Sequence, residues 1–195
     1  MFLDKDGTLV ENIPYNVDPA CMHLAPGAER ALPMLADAGF RFAVITNQPG
    51  VALGHFAESA LADVHARLRE MLHAIGVALA GFYYCPHHPD GVIPAYAVRC
   101  DCRKPAPGLV LCAARELDAD PRRSWLIGDI LDDIEAGNRA GCRTVLLDNG
   151  NETEWVLDAQ RHPGHIARDL LGAATIIVGT SRPTLAHAGA GTEVP

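Results

Sequence analysis

Short apolar runs alternate along the chain with longer stretches whose apolar positions recur at helical spacing. Met1 to Leu3 reads as the end of a strand. Pro26 to Ala38 reads as a helix, because Ala28, Ala31, Leu32, Leu35 and Ala38 fall near one face and Gly39 stops it. Arg41 to Thr46 predicts a strand, Glu58 to Ile75 a longer helix closed by Gly76, and Gly81 to Cys85 a second strand. Pro86 to Lys104 has no period and reads as irregular. Pro107 to Leu117 predicts a helix, Trp125 to Gly128 a strand, Asp132 to Ala140 a helix stopped by Gly141, and Thr144 to Leu147 a strand. Gly164 to Leu171 predicts a weaker helix and Thr175 to Val178 a late strand. Such alternation predicts an α/β fold, a parallel sheet covered by helices on both faces. Sheets of this kind bind ligands at the carboxyl ends of their strands. Asp4 and Asp6, Thr46 and Asn47, and Asp129 each follow an apolar run, so they are expected to meet in one crevice. A single domain is expected over residues 1–179. Residues 180–195 carry Gly, Ala, Pro and Thr without an apolar period and are expected to form a disordered tail.

Composition narrows the function classes. The 195 residues are 49% hydrophobic and 21% charged, enough for a packed core and against global disorder. No apolar run approaches the roughly 18 residues that cross a bilayer, so no membrane partner is expected. No signal peptide is read at the start, where Asp4 follows Met1-Phe2-Leu3 at once. A formal charge of -8 argues against a nucleic-acid partner held by bulk charge. A small anionic substrate stays open, since a divalent metal and a few placed cations reverse the sign locally.

Four short motifs carry candidate chemistry. In Asp4-Lys5-Asp6-Gly7-Thr8, two carboxylates at i and i+2 project from a strand end and Gly7 permits a tight turn. One is a candidate nucleophile and the other can trade protons with a leaving oxygen. Attack of a carboxylate on phosphorus needs a cation to offset repulsion, and Mg²⁺ suits few carboxylates plus phosphate oxygens. Thr46-Asn47-Gln48 offers hydrogen bonds to phosphate, and Arg103-Lys104-Pro105 offers positive charge. In Gly128-Asp129-Ile130-Leu131-Asp132-Asp133, Asp129 is placed to complete a metal site. Asp132 and Asp133 read as first-turn acids favoured by a helix dipole. Trp125 and Phe42 read as core, Cys21, Cys112 and Cys142 as ordinary thiols, and Asn149 to Trp155 as a possible edge of the crevice without an assigned role.

Cys85-Pro86-His87-His88-Pro89 followed by Cys100-Asp101-Cys102 is the most distinctive feature. Three cysteines and one histidine give the four soft or borderline ligands of closed, structural zinc. The loop has little core of its own, which explains why a metal would be needed. Spacing alone leaves His87 and His88 competing for one position. Without a signal peptide the thiols read as reduced and the protein as cytoplasmic. Cys102 runs directly into Arg103 and Lys104, so fixing it on zinc would fix both cations at the crevice.

In this order the four motifs resemble the haloacid dehalogenase (HAD) superfamily of phosphatases. The resemblance implies a Rossmann-like parallel sheet, an aspartyl-phosphate on Asp4, and Asp6 as general acid and base that also meets Mg²⁺ through its main-chain carbonyl. It further implies phosphate contacts from Thr46 and Lys104, and Asp129 completing the Mg²⁺ site with Asp4 and Asp6. The cysteine and histidine loop is similar to that of the D-glycero-D-manno-heptose 1,7-bisphosphate 7-phosphatases and, more distantly, the histidinol-phosphate phosphatases. That family implies His87 with Cys85, Cys100 and Cys102 as zinc ligands. It implies sugar-phosphate contacts from Asn12 to Tyr15, from Thr46, Asn47 and Gln48, and from Arg103 and Lys104. It implies no large cap domain, for which Thr8 to Arg41 leaves no room.

The chain departs from the family where it has Pro49-Gly50, Leu53 and Ile130. Only three residues precede Asp4, so either a shortened first strand suffices or the recorded start is truncated. The expected activity is Mg²⁺-dependent hydrolysis of a phosphomonoester by a monomer, with the C7 phosphate of the heptose bisphosphate as substrate. Histidinol-phosphate hydrolysis and a catalytically dead, zinc-stabilised interaction module are the alternatives.

Overall fold

The computed structural model describes residues 1–181. Its strands are β1 (Phe2–Leu3), β2 (Phe42–Asn47), β3 (Leu79–Cys85), β4 (Trp125–Gly128), β5 (Arg143–Leu147) and β6 (His165–Ala167). They form one six-stranded sheet in the order β3-β2-β1-β4-β5-β6, and every pairing is parallel. The helices are α1 (Ala28–Asp37), α2 (Ala60–Ala74), α3 (Gly108–Glu116), α4 (Leu131–Ala140) and α5 (Leu170–Ser181).

Side chains along the strands alternate between two cores, as the pleat requires. Leu3, Phe42, Val44, Ile127 and Val145 pack with α1, α2 and α5. Phe2, Ala43, Ile45 and Leu126 point the other way, against Leu109, Val110 and Ala113 of α3 and Ala136 of α4. The chain runs from β1 outward through β2 to β3, then returns to β4 on the opposite side of β1. The reversal lies between β1 and β4, where a doubly wound sheet opens a crevice at its carboxyl edge.

The first strand is short but central. Leu3 pairs with both Val44 and Ile127. Met1 extends the ladder, its carbonyl accepting from Ala43 N–H at 2.9 Å, and Asp4 N–H reaches Ile127 O at 3.0 Å. Asp4 is thereby set at the switch point by main-chain bonds on both sides.

One region differs from the sequence expectation. The weak helix expected over Gly164 to Leu171 is in fact strand β6 running into a turn, and the strand expected over Thr175 to Val178 lies inside α5. The β-branched run Thr175-Ile176-Ile177-Val178 has strand propensity, but Leu170, Ala173, Ala174 and Ile177 recur at helical spacing and are all buried in the α1 side core. Packing of that stripe overrides the local preference. Of the expected tail, Thr180 closes the last turn of α5; residues 182–195 lie outside the described residues. Among the described residues no helix is long and apolar enough to cross a membrane.

Candidate active site

Asp4 ends β1 and is buried. The chain then turns back tightly, with Leu9 and Val10 N–H both donating to Lys5 O at 3.0 and 2.9 Å, and Gly7 N–H donating to Val10 O at 2.8 Å. Gly7 has φ 83°, and a Cβ there would overlap the Asp129 carboxylate and the Asn151 amide. Glycine is required at this point both for the backbone and for the close approach. Asp6 lies in the turn. Its bridge to Val10 uses the flanking Lys5 carbonyl and Gly7 N–H, which leaves the Asp6 carbonyl out of that pairing.

Lys104 is the hub of the site. Its Nζ lies 2.5 Å from Asp4 Oδ1 and 2.5 Å from Asp133 Oδ1, and donates to Ile45 O at 2.9 Å. Asn47, at the end of β2, holds the Lys104 main chain at two points: Nδ2 donates to Lys104 O and Oδ1 accepts from Lys104 N–H, both at 3.0 Å. Asn47 is therefore committed to placing Lys104. Gln48 Nε2 donates to Thr46 Oγ1 at 2.9 Å and to Asp6 Oδ2 at 3.1 Å, while Lys5 pairs with Asp6 Oδ1. The Asp6 side chain remains 30% exposed, so it faces the crevice.

Asp129 follows β4 and is buried. Its oxygens accept from Thr8 Oγ1 at 3.2 Å and Asn151 Nδ2 at 2.8 Å. Asn149 Nδ2 donates to Gly7 O at 2.7 Å, so the segment after β5 does edge the crevice. Asp133 stands one helical turn beyond Asp129 and is fully buried. Its Oδ2 accepts from Ile130 N–H at 3.3 Å, which caps α4, and its other oxygen faces Lys104. This carboxylate does more than complement a helix dipole. The i to i+4 spacing from Asp129 was the available signal. Asp132, by contrast, pairs with Arg161 at 2.9 Å, away from Lys104.

The carboxylate oxygens of Asp4, Asp129 and Asp133 lie within 4.8 Å of one another. Burial, with repulsion from Asp4 and Asp133, pushes the Asp129 carboxyl up to about 8. Burial also raises Asp133, to about 7, with Lys104 opposing and Asp4 adding to the shift. Burial opposes charge on Lys104, but Asp133 and Asp4 outweigh it and hold the ammonium above the ordinary lysine range. Asp6 is raised by burial and by Asp4, against the pull of Lys5 and Gln48. Three crowded carboxylates facing one ammonium are short of positive charge. A set of hard oxygen donors in that state fits Mg²⁺.

A second cluster lies just behind. β3 delivers Cys85, whose neighbour across the ladder is Asn47. Cys85 Sγ lies 3.5 Å from Cys100 Sγ and 3.3 Å from Cys102 Sγ, and Cys100 and Cys102 are 3.2 Å apart. His87 Nδ1 is 3.6 Å from Cys85 Sγ and 3.4 Å from Cys102 Sγ. Tetrahedral zinc with Zn–S bonds of about 2.3 Å spaces its sulfurs about 3.8 Å apart, so the four groups already stand near the corners such a centre needs. His87 joins the group, and His88 instead accepts from Asp90 N–H at 3.2 Å. Glu58 also ties down the loop, accepting from Tyr84 OH at 3.0 Å and Tyr96 OH at 2.6 Å. Nothing in the linear sequence pointed to Glu58.

The remaining expected contacts sit farther out. Arg103 is half-buried, and its Nη1 is enclosed with no hydrogen-bond partner among the described residues. Asn12 and Tyr15 are exposed on the loop after the first motif; neither touches the carboxylate cluster through a hydrogen bond among the described residues.

Comparison with known proteins shows the family. Residues 101–181 match a family described as HAD-hydrolase-like. D-glycero-beta-D-manno-heptose-1,7-bisphosphate 7-phosphatase of Pasteurella multocida is 35% identical over 187 residues, covering 92% of this chain and 96% of that protein. D-glycero-D-manno-heptose-1,7-bisphosphate 7-phosphatase of Chlorobaculum tepidum is 37% identical over 182 residues, covering 90% and 92%. The crystal structure of D,D-heptose 1,7-bisphosphate phosphatase from B. bronchiseptica, complexed with magnesium and phosphate, superposes with a TM-score of 0.74 at 28% identity, covering 93% of this chain and 98% of that one. With relatives this similar over nearly their whole length, the chain belongs to the HAD-type heptose-1,7-bisphosphate 7-phosphatase family.

Proposed function

We propose that this phosphoric monoester hydrolase removes the C7 phosphate of D-glycero-D-manno-heptose 1,7-bisphosphate. The observation that carries the reading is Asp4 at the switch point, paired with buried Lys104, with Asp6 beside it in the same turn. In this reading Asp4 Oδ attacks phosphorus opposite the leaving oxygen. Asp6, whose pKa is raised, passes its proton to that oxygen as the P–O bond breaks, and the phosphoryl group rests on Asp4. Asp6, now ionised, takes a proton from water. The water oxygen attacks phosphorus, inorganic phosphate departs and Asp4 is restored. Lys104 and Thr46 hold the phosphoryl oxygens as charge develops on them. Asp4, Asp129 and the Asp6 carbonyl would hold Mg²⁺, which supplies charge to offset repulsion between carboxylate and phosphate. Cys85, His87, Cys100 and Cys102 would hold structural zinc. A primary phosphate enters such a crevice end first, and the enclosed Arg103 is suited to grip a second phosphate. The reading extends to a monomer, and reduced thiols suit the cytoplasm. A turnover screen over phosphorylated sugars and histidinol phosphate tests the substrate; preference for histidinol phosphate would overturn it.

Asp4→Asn should fold and lose turnover by roughly a thousandfold or more, because an amide cannot form the acyl-phosphate. Phosphate release by a variant of wild-type circular dichroism is the measurement, and substantial release would contradict the assignment.

Purified protein should carry about one zinc per chain by elemental analysis. Cys100→Ser should lose it, with the KM for substrate rising while the unfolding transition of the sheet moves little. Unchanged kinetics in a zinc-free variant would separate the cluster from substrate binding.

Asp129 gives a pH signature in the metal-free protein. A carboxyl with a folded pKa near 8, against an unfolded value near 3.9, keeps a proton that the unfolded chain releases. Its contribution to stability is present below the unfolded value and lost as pH rises through the folded one. Since Mg²⁺ needs the ionised form, the rise in Tm on adding Mg²⁺ should be larger at pH 8 than at pH 6. Equal rises would count against Asp129 as a ligand.

Arg103→Ala should weaken the bisphosphate by roughly tenfold to a hundredfold in kcat/KM. A heptose carrying only the C7 phosphate should lose far less; equal losses would remove Arg103 from the second phosphate.

A further inference from the structure

Two exposed rings meet between the loops that follow β1 and β2, and neither the phosphoryl chemistry nor the cysteine cluster accounts for them. The rings of Tyr15 and His55 lie with centroids 4.3 Å apart and planes tilted by 41°. Tyr15 belongs to the loop that leaves β1 through Asp6. His55 belongs to the loop that leaves β2 through Gln48. β1 and β2 are adjacent and parallel, and the two loops are already joined at their bases by the Gln48 to Asp6 hydrogen bond of 3.1 Å. The ring pair therefore bridges the same two loops farther out, over the carboxyl edge of the sheet.

The pair is not part of a core. Tyr15 is 51% exposed, and His55 is exposed as well. Tyr15 also holds φ at 55°, in the left-handed region that costs a non-glycine residue about 1 kcal/mol or more. The backbone nevertheless fixes both rings. Asn16 N–H closes a turn on Ile13 O at 3.1 Å beside Tyr15. His55 N–H donates to Gly50 O at 2.8 Å and Leu53 N–H to Pro49 O at 2.9 Å. Ala52 O in that loop accepts from Val92 N–H at 2.8 Å and Ile93 N–H at 3.0 Å, which locks it to the cysteine-bearing segment. Exposed aromatic rings on loops held by main-chain bonds, the same loops that carry Asp6 and Gln48, form a preorganised surface.

We propose that His55 is a specificity-determining residue, which with Tyr15 forms a platform for the ring of the leaving sugar. The inference rests on the phosphosugar reading above and extends it to a residue that reading did not use. A pyranose has an apolar C–H face and a polar rim. The face lies on the two rings, while the imidazole N–H and the phenol, at the platform's edges, meet the hydroxyl groups. A small acyclic phosphate ester has no such face to offer.

The test compares kcat/KM for heptose 1,7-bisphosphate with that for glycerol phosphate, a primary phosphate without a ring. In His55→Ala the ratio of the two should fall about tenfold, the worth of one aromatic contact, through KM for the heptose and not kcat. His55→Phe keeps the ring and should recover most of the ratio. A ratio unchanged in His55→Ala, or lost equally in both variants, would overturn the platform. If the wild type does not hydrolyse heptose bisphosphate, the substrate assignment fails separately, and the same ratio is read with the ring-sugar phosphate it turns over best. A wild type that prefers glycerol phosphate to every ring sugar would overturn the platform too.

Discussion

One buried ammonium organises this protein. Lys104 sits between Asp4 and Asp133 with Ile45 O as its third acceptor. Removing one member of a buried ion pair typically costs about 3–5 kcal/mol because the survivor is left uncompensated. Lys104 thus offsets the two buried carboxylates that it joins. It also leaves a deficit, because Asp129 adds a third carboxylate without a second lysine. Burial and mutual repulsion raise Asp129 and Asp133, and that shortage of positive charge makes the crevice receptive to a divalent cation.

The position of Lys104 depends in turn on features with no share in the chemistry. Asn47 clasps its main chain from the end of β2. Cys102, two residues earlier, belongs to the cysteine and histidine cluster, and Gly108 N–H reaches back to Asp101 O at 2.9 Å. A Cβ on Gly108 would overlap that carbonyl, so glycine is what lets the loop pass this close to the start of α3. The loop brings no apolar stripe of its own, and its fixed points are Cys85 in the core, the Glu58 clamp and the cluster. A metal at the cluster would supply the cross-link that packing cannot.

Much of this was legible in the sequence. Alternating apolar runs imply the parallel sheet, and the rule that sites form at strand ends brings Asp4, Thr46 and Asp129 to one edge of it. What escaped has identifiable causes. Asp133 looked like a helix-dipole acid because its burial depends on Gly128, where a Cβ would overlap the Asp133 carboxylate. Asn47 looked like a phosphate donor because a linear motif does not show that its amide already serves Lys104. The end of the chain was misread because β-branched residues stand in α5, where a stripe of small and apolar side chains packing on α1 decides the outcome. The Glu58 clamp and the Tyr15 and His55 pair join residues remote in sequence, with no spacing to announce them.

In the proposed reading, the phosphate end and the sugar end of the crevice are built differently, and this separates two properties of the enzyme. The groups around phosphorus sit on strand ends or are fixed to them: Asp4 on β1, Thr46 on β2, Asp129 after β4, with Lys104 clasped to β2 by Asn47. Their geometry is that of the sheet, and any shift there would be felt in both hydrophobic cores. Tyr15, His55 and Arg103 sit on loops outside the strands. Substitution in those loops can alter which alcohol leaves without moving the nucleophile. The departures at Pro49, Leu53 and Ile130 fall outside the Asp4, Asp6, Asp129 and Lys104 set. None of the three belongs to the carboxylate cluster or to the cysteine and histidine cluster.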